Sequence, residues 1–234
     1  MKSGAIGRAK SIARHVSPSH IARRQSTSRI VKQFAERLGM VYFGAVRHGD
    51  GGQHLVRGVT VSHSHIDHDY TVGTYRDYDI ALVLRRDRLT YPDKRVVDHS
   101  WLIMTFDLHT LLEVPHCYVS PTHRSEILLA KYTRLSPLTL TNLAPHSAAF
   151  MQQFTVYASV EHAIVVEQLL PPETTAQLVQ SFADISIELS DNTLYIYMHE
   201  KHPSRPQLER MLTSGLWLAQ TLDANARQIL LQAR

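Results

Sequence analysis

Residues 150–198 constrain the fold more than any other stretch, because their apolar period switches from 2 to 3.6 and back again. Residues 150–157 read as a strand and residues 171–182 as an amphipathic helix. A second strand over 185–189, a tight turn over 190–193 and a third strand over 194–198 complete the unit. Ile185, Ile187 and Leu189 alternate with Ser186 and Glu188, which predicts a sheet with one packed and one wetter face. No residue with obvious chemistry lies on this core. The pattern implies an α+β protein with a largely antiparallel sheet.

The flanking sequence extends that sheet. Ile30, Val31, Phe34, Ala35 and Leu38 form a helical stripe that Ser28 would cap and Gly39 would close. Strands are expected over 40–46, 55–65, 79–85 and 101–107, with an exposed charged loop over 87–100 and a helix over 125–132. Pro137 and Pro145 make 135–149 the best internal boundary. It would separate a helix-plus-β unit (29–135) from an α+β unit (150–234), with residues 1–28 as a disordered arm. Ser204 and Gln207 read as a capping box opening a long C-terminal helix. Its apolar side, Leu208, Met211, Leu212, Leu216, Ala219 and Leu222, would pack on the sheet, with Gly215 permitting close approach and Trp217 as an anchor.

Charge divides the chain unevenly. Residues 1–35 hold eight basic side chains and no acid, leaving 17 of the 25 basic side chains against all 21 acidic ones in the remainder. Arg8, Lys10, Arg14, Arg23 and Arg24 are therefore candidate contacts to an anionic partner, either nucleic acid or an anionic membrane surface. Ala5, Ile6, Ala9, Ile12, Ala13 and Val16 recur at helical spacing in the same region, a stripe that could order on such a surface. No apolar run is long enough for a membrane span and no segment near Met1 reads as a secretory leader. The single cysteine, Cys117, excludes an internal disulfide and suits a reducing compartment. The expected setting is cytoplasmic, peripheral to a membrane at most.

Chemistry-bearing residues gather in one place. His63, His65, Asp67 and His68 spell H-x-H-x-D-H after the extended run Val59-Thr60-Val61. Alternate residues of a strand share a face, so His63, His65 and Asp67 could converge on one metal ion. This wording resembles the metallo-β-lactamase superfamily, and the resemblance implies zinc that activates water for hydrolysis. The superfamily places a bridging aspartate later in the chain, but none occurs between Asp107 and Asp184. Phosphate-binding, dinucleotide and nucleophile-elbow motifs are absent.

A broader resemblance rests on Phe150-x-x-x-Phe154-Thr155-Val156-Tyr157, Leu169-Leu170-Pro171 and Leu194-Tyr195-Ile196. These are similar to the F-x-V-Y strand, L-L-x-P helix start and L-Y-I strand of a bacterial domain-of-unknown-function family. Leu55-Val56-Arg57-Gly58, Trp101 and Met104-Thr105-Phe106-Asp107 resemble its first half. The shared residues are core and turn positions, so the resemblance implies fold and no catalytic residue. The sequence reading is thus a non-enzymatic binding or scaffolding module without a cofactor, tethered by residues 1–28. A metal-dependent hydrolase using His63, His65, Asp67 and His68 is the alternative. A third is a partner-binding protein working through its C-terminal helix.

Overall fold

The computed structural model describes residues 18–44, 65–90, 94–124 and 135–232. Its strands are β1 (Val41–Gly44), β2 (Ile66–Tyr75), β3 (Tyr78–Thr90), β4 (Val96–Asp107), β5 (Cys117–Pro121), β6 (Ser136–Leu138), β7 (Phe154–Ala158), β8 (Ile185–Ser190) and β9 (Thr193–Met198). Its helices are α1 (Pro18–Leu38), α2 (Ala148–Gln153), α3 (Ala163–Leu169), α4 (Pro172–Ser181) and α5 (Arg205–Gln232). The nine strands form one antiparallel sheet in the order β1-β2-β3-β4-β9-β8-β5-β7-β6. The protein is α+β, as the alternation implies, with the long α5 packed on β4 and β9.

Period-2 alternation sorts each strand between two layers. Ile80, Leu82 and Leu84 of β3, Leu102, Met104 and Phe106 of β4, and Leu194, Ile196 and Met198 of β9 point to one side. There they join Val31 and Phe34 of α1, Leu178 of α4, and Leu208, Met211 and Leu216 of α5 in a single buried cluster. Each such leucine, isoleucine or phenylalanine contributes about 1.5–3 kcal/mol on burial. Every helix residue of the two hydrophobic clusters belongs to this layer.

Helix ends follow local chemistry. After Leu38 the Gly39 N–H donates to the Glu36 carbonyl (3.2 Å) and the Met40 N–H to the Ala35 carbonyl (2.9 Å), with Gly39 at φ +74°. That is the Schellman closure the glycine implies. At the other end α1 starts at Pro18, ten residues before the expected cap at Ser28. Proline suits a first helical turn, where its missing N–H leaves no bond unmade. The Ser204 N–H donates to Gln207 Oε1 (2.7 Å) immediately before α5, as the capping pair predicts.

Two further differences have physical reasons. Residues 150–153, expected to open a strand, are instead the end of α2, since Ser147 accepts the Phe150 N–H through Oγ (3.2 Å) and two alanines follow the cap. The strand carrying F-x-V-Y begins only at Phe154. Much of the charged stretch 87–100 is β-structure too, because β3 and β4 continue as a hairpin to Thr90 and from Val96. Arg88 grips Asp98 across that hairpin with two hydrogen bonds (2.7 and 3.2 Å), so its charges face each other. Strands from both sides of 135–149 interleave, as β9 lies against β4 and β5 lies between β8 and β7. The expected helix over 125–132 and most of the expected strand over 55–65 lie outside the described residues.

Gly215 sits where α5 crosses the sheet. A β-carbon there would stand 2.3 Å from Phe106 Cε2 and 2.8 Å from Ile196 Cδ1. Alanine gains about 1 kcal/mol in helix propensity, but overpacking a fully buried ring costs about 1–3 kcal/mol. Gly215→Ala should therefore lower stability in urea unfolding. Adding Phe106→Leu should give a double variant more stable than the two single effects sum to, because the sites touch.

Candidate functional site

The second face of the sheet carries the chain's concentrated polar chemistry. Residues of opposite parity to the core project there: Asp67 and Tyr70 of β2, Val83 and Arg85 of β3, Trp101 and Ile103 of β4, Tyr118 of β5, Tyr157 of β7, Glu188 of β8, and Tyr195 and Tyr197 of β9. Asp67, Arg85 and Trp101 lie in one cross-strand register row, while Tyr157, Tyr118, Glu188 and Tyr195 lie in another. The sequence predicts a wetter face, but the structure buries it: Glu188 and Arg85 are each 1% exposed and Tyr197 is 0% exposed. Tyrosines and one tryptophan fill this layer, so it holds large apolar rings together with polar tips.

Charged side chains anchor it at two points. Arg85 donates from Nε to Asp67 Oδ1 (2.7 Å) and from Nη2 to Asp67 Oδ2 (2.8 Å), a bidentate pair in which both partners are buried. Glu188 accepts the Tyr197 hydroxyl at Oε2 (2.5 Å) and lies against His116 Nε2 at Oε1 (2.8 Å). Burial, with the Glu188 carboxylate nearby, pushes the Tyr195 hydroxyl up to about 12 and the Tyr118 hydroxyl well above the usual tyrosine range. Both phenols are therefore neutral hydrogen-bonding groups.

Aromatic rings surround Trp101. The His199 ring meets it edge-on at 5.2 Å, the Tyr197 ring edge-on at 6.2 Å and the His99 ring stacks at 5.8 Å. Burial, and then the charge of Arg124, pull the His199 pKa below the ordinary histidine value. Among the described residues the Trp101 Nε1–H has no hydrogen-bond partner. Directly behind Tyr118, Cys117 lies in the helix-side core, where burial raises its thiol to about 12 and leaves it chemically quiet.

The helix side uses carboxylates in the same way. Asp223 of α5 accepts the Tyr78 hydroxyl (2.6 Å) and the His109 N–H (2.9 Å). Glu167 of α3 holds the Asn142 N–H at Oε1 (2.9 Å) and the Leu143 N–H at Oε2 (2.8 Å), tying the preceding loop to the helix. None of these braces is evident from local sequence, since each partner is distant in the chain. The available hint for Arg85 and Glu188 is a charge standing at strand parity inside an apolar run.

The sequence candidates are dispersed. Asp67 is bound to Arg85, whereas His68 is the next strand residue and sits opposite Leu84, on the other side of the sheet. His65 precedes β2, and His63 lies outside the described residues. Among the described residues no group of three or more His, Cys, Asp and Glu side chains is placed to hold a metal ion. Arg23 and Arg24 lie within α1, and Arg8, Lys10 and Arg14 fall outside the described residues.

No protein-family model matches the chain, and no curated protein matches it. A solved structure does, the crystal structure of the mycobacterial trehalose monomycolate transport factor A, TtfA. The TM-score is 0.59 at 12% identity, over 86% of this chain and 94% of that one. This chain shares the TtfA fold. At that identity the likeness concerns the path of the backbone.

Arg85→Met would leave the Asp67 carboxylate buried without its counter-charge, and about 3–5 kcal/mol of stability should be lost. Arg85→Met combined with Asp67→Leu should lose less than Arg85→Met alone, measured by urea unfolding. His199 gives a second expectation. Its folded pKa lies below the unfolded value of 6.5, so the unfolded chain binds more protons just below pH 6.5. Stability should be full above pH 6.5 and fall as pH drops through the folded pKa. His199→Gln should flatten that slope, with His146, shifted the same way by burial, supplying the remainder.

Proposed function

We propose that this chain is a non-enzymatic binding and scaffolding module, held against an anionic partner by its cationic N-terminal region. The observation that carries this reading is the closure of four of the six buried carboxylates among the described residues. Asp67, Glu188, Glu167 and Asp223 each spend both oxygens on partners within the fold. A general base or a metal ligand needs a lone pair directed at a substrate or ion. These four carboxylates instead brace strands and loops.

Two further observations support the same reading. TtfA, which has a similar fold, is named a transport factor, and an accessory role of that kind suits a sheet with a charged extension. Among the described residues no helix is long and apolar enough to cross a membrane, and a cationic segment is able to attach to an anionic surface through charge. A cytoplasmic, peripheral location belongs to this reading.

Helix α1 dictates where the test should cut. Thr27, Val31 and Phe34 are buried, so removing residues 1–28 would damage the body. Deleting residues 1–17 spares α1. That truncation should weaken co-sedimentation with anionic vesicles, or retention on single-stranded RNA, by at least about tenfold at low salt. Full-length protein that binds neither would sink the proposal. Stoichiometric zinc by elemental analysis, lost in His63→Ala with His65→Ala, would put the hydrolase in its place.

A further inference from the structure

Among the described residues the sheet ends on β6 at one side and on β1 at the other, and the two edges are defended differently. An outermost strand carries N–H and C=O groups without a ladder partner, a template that another strand can join. Strand β6 reads Ser136-Pro137-Leu138, and its proline interrupts that row. Strand β1 reads Val41-Tyr42-Phe43-Gly44, with neither a proline nor a charge. Val41 is 56% exposed and Phe43 58%. Both stand on the side away from the helices, where Val41 lies opposite Val72 and the Phe43 ring lies 5.9 Å from the Tyr70 ring.

Helix α1 covers the same edge from the other side. The closure at Gly39 turns the chain back, so α1 lies over β1 and β2, while α5 lies further in, over β4 and β9. One flank of α1 is committed to the body, because Arg37 Nη2 holds Glu209 of α5 at 2.7 Å. At about 3.6 residues per turn the flank facing outward over β1 carries Ser28 and Lys32, with Glu36 one turn further on. Lys32 Nζ lies 3.8 Å from Glu36 Oε1, and both side chains are more than half exposed.

These features suit a second copy of the same surface. Two copies of one strand edge related by a two-fold axis perpendicular to the sheet meet antiparallel, with the helices of both on one side. An axis through Tyr42 sets Val41 beside Phe43 of the second copy, and Phe43 beside its Val41, as apolar cross-strand pairs. Neighbouring strands stand about 4.8 Å apart, so helices seated between β1 and β2 of each copy have axes about 10 Å apart, an ordinary helix-packing distance. The axis crosses α1 in its C-terminal half, since α1 runs back over β1 from Gly39. Lys32 of one copy therefore lies across from Glu36 of the other. A foreign extended peptide would occupy the strand edge alone and leave this self-complementary pattern unused.

We infer that β1 is the seat of a homodimer, in which a second copy of this chain pairs its own β1 with it and the two α1 helices pack side by side over the joint. The inference uses no residue before Ser28 and stands apart from the proposed tether. Strand β1 is short, and its register against β2 shifts between Tyr42 and Gly44. Such a bulge weakens a ladder, so the helix contact has to complete the joint. One short strand and one helix flank from each copy fall well below the roughly 20–30 residues a side of a standard interface. The dimer is therefore weak and reversible.

Sedimentation equilibrium of the full-length chain over roughly 1–500 µM should show monomer and dimer in exchange. Val41→Lys with Phe43→Lys sets cations from both copies against each other and should weaken dimerisation at least about tenfold. Its thermal midpoint should stay close to the parent's, since both side chains are already more than half exposed. Lys32→Glu leaves two acids on the flank and Glu36→Lys leaves two cations, so each variant alone should dimerise roughly tenfold more weakly than the parent. An equimolar mixture of the two should dimerise at least as well as the parent, because every acid regains a cation across the axis. A parent that stays monomeric throughout the range overturns the inference. A dimer indifferent to Val41→Lys with Phe43→Lys overturns it as well and places the contact on another surface. A mixture that associates no better than its separate components overturns the two-fold pairing of α1.

Discussion

A strand in the middle of a sheet must hide two sets of side chains at once, and β4 meets that demand with very different chemistry on its two sides. Towards the helices it presents Leu102, Met104 and Phe106; away from them it presents His99, Trp101, Ile103 and Thr105. Hydrocarbon satisfies the first set without geometric restriction. The second set contains polar atoms, and each such atom buried without a partner costs about 1–3 kcal/mol. Pairing therefore governs the second layer. The Arg85–Asp67 fork and the Tyr197–Glu188–His116 chain supply such pairs on the elements around β4.

Ion pairs of this kind are poor sources of net stability, because desolvation offsets much of the attraction, yet each is costly to break once buried. Their effect here is to fix register. Slipping β2 by one residue against β3 would carry Asp67 to the helix side and part it from Arg85. Glu188 does the same for β8 against β9, and Asp223 and Glu167 do it for α5 and α3. Acidic side chains thus reinforce an alignment that the alternation of hydrocarbon between the two layers already sets.

The core was legible because burial leaves a period in the sequence. The stripe of α5, the Gly39 closure, the Ser204–Gln207 cap, the β8–β9 hairpin and the close approach at Gly215 all follow from local rules, and each stands as those rules imply. Misreadings came where a short-range signal met a stronger neighbour. Ser147 with two alanines turned the start of an expected strand into α2, and opposed charges let β3 and β4 run on through a stretch that resembled a loop. The polar layer was illegible for a different reason. Glu188 faces Tyr197 nine residues away but His116 at a distance of 72, and no local pattern encodes such a meeting. Of the histidine motif, strand parity separates His68 from Asp67, which a linear reading of H-x-H-x-D-H passes over.

Sheet order differs from chain order in one respect with a temporal consequence. Strand β9, made from residues 193–198, lies between β4 and β8 near the centre of the sheet. During synthesis β4 therefore emerges with one long edge bare and must wait until residues 193–198 are made before its neighbour exists. Until then the nascent chain displays an unsatisfied ladder beside Trp101 and Ile103, the kind of surface that invites foreign strands. The interval between the synthesis of β4 and that of β9 is thus the one in which the centre of the sheet stands open.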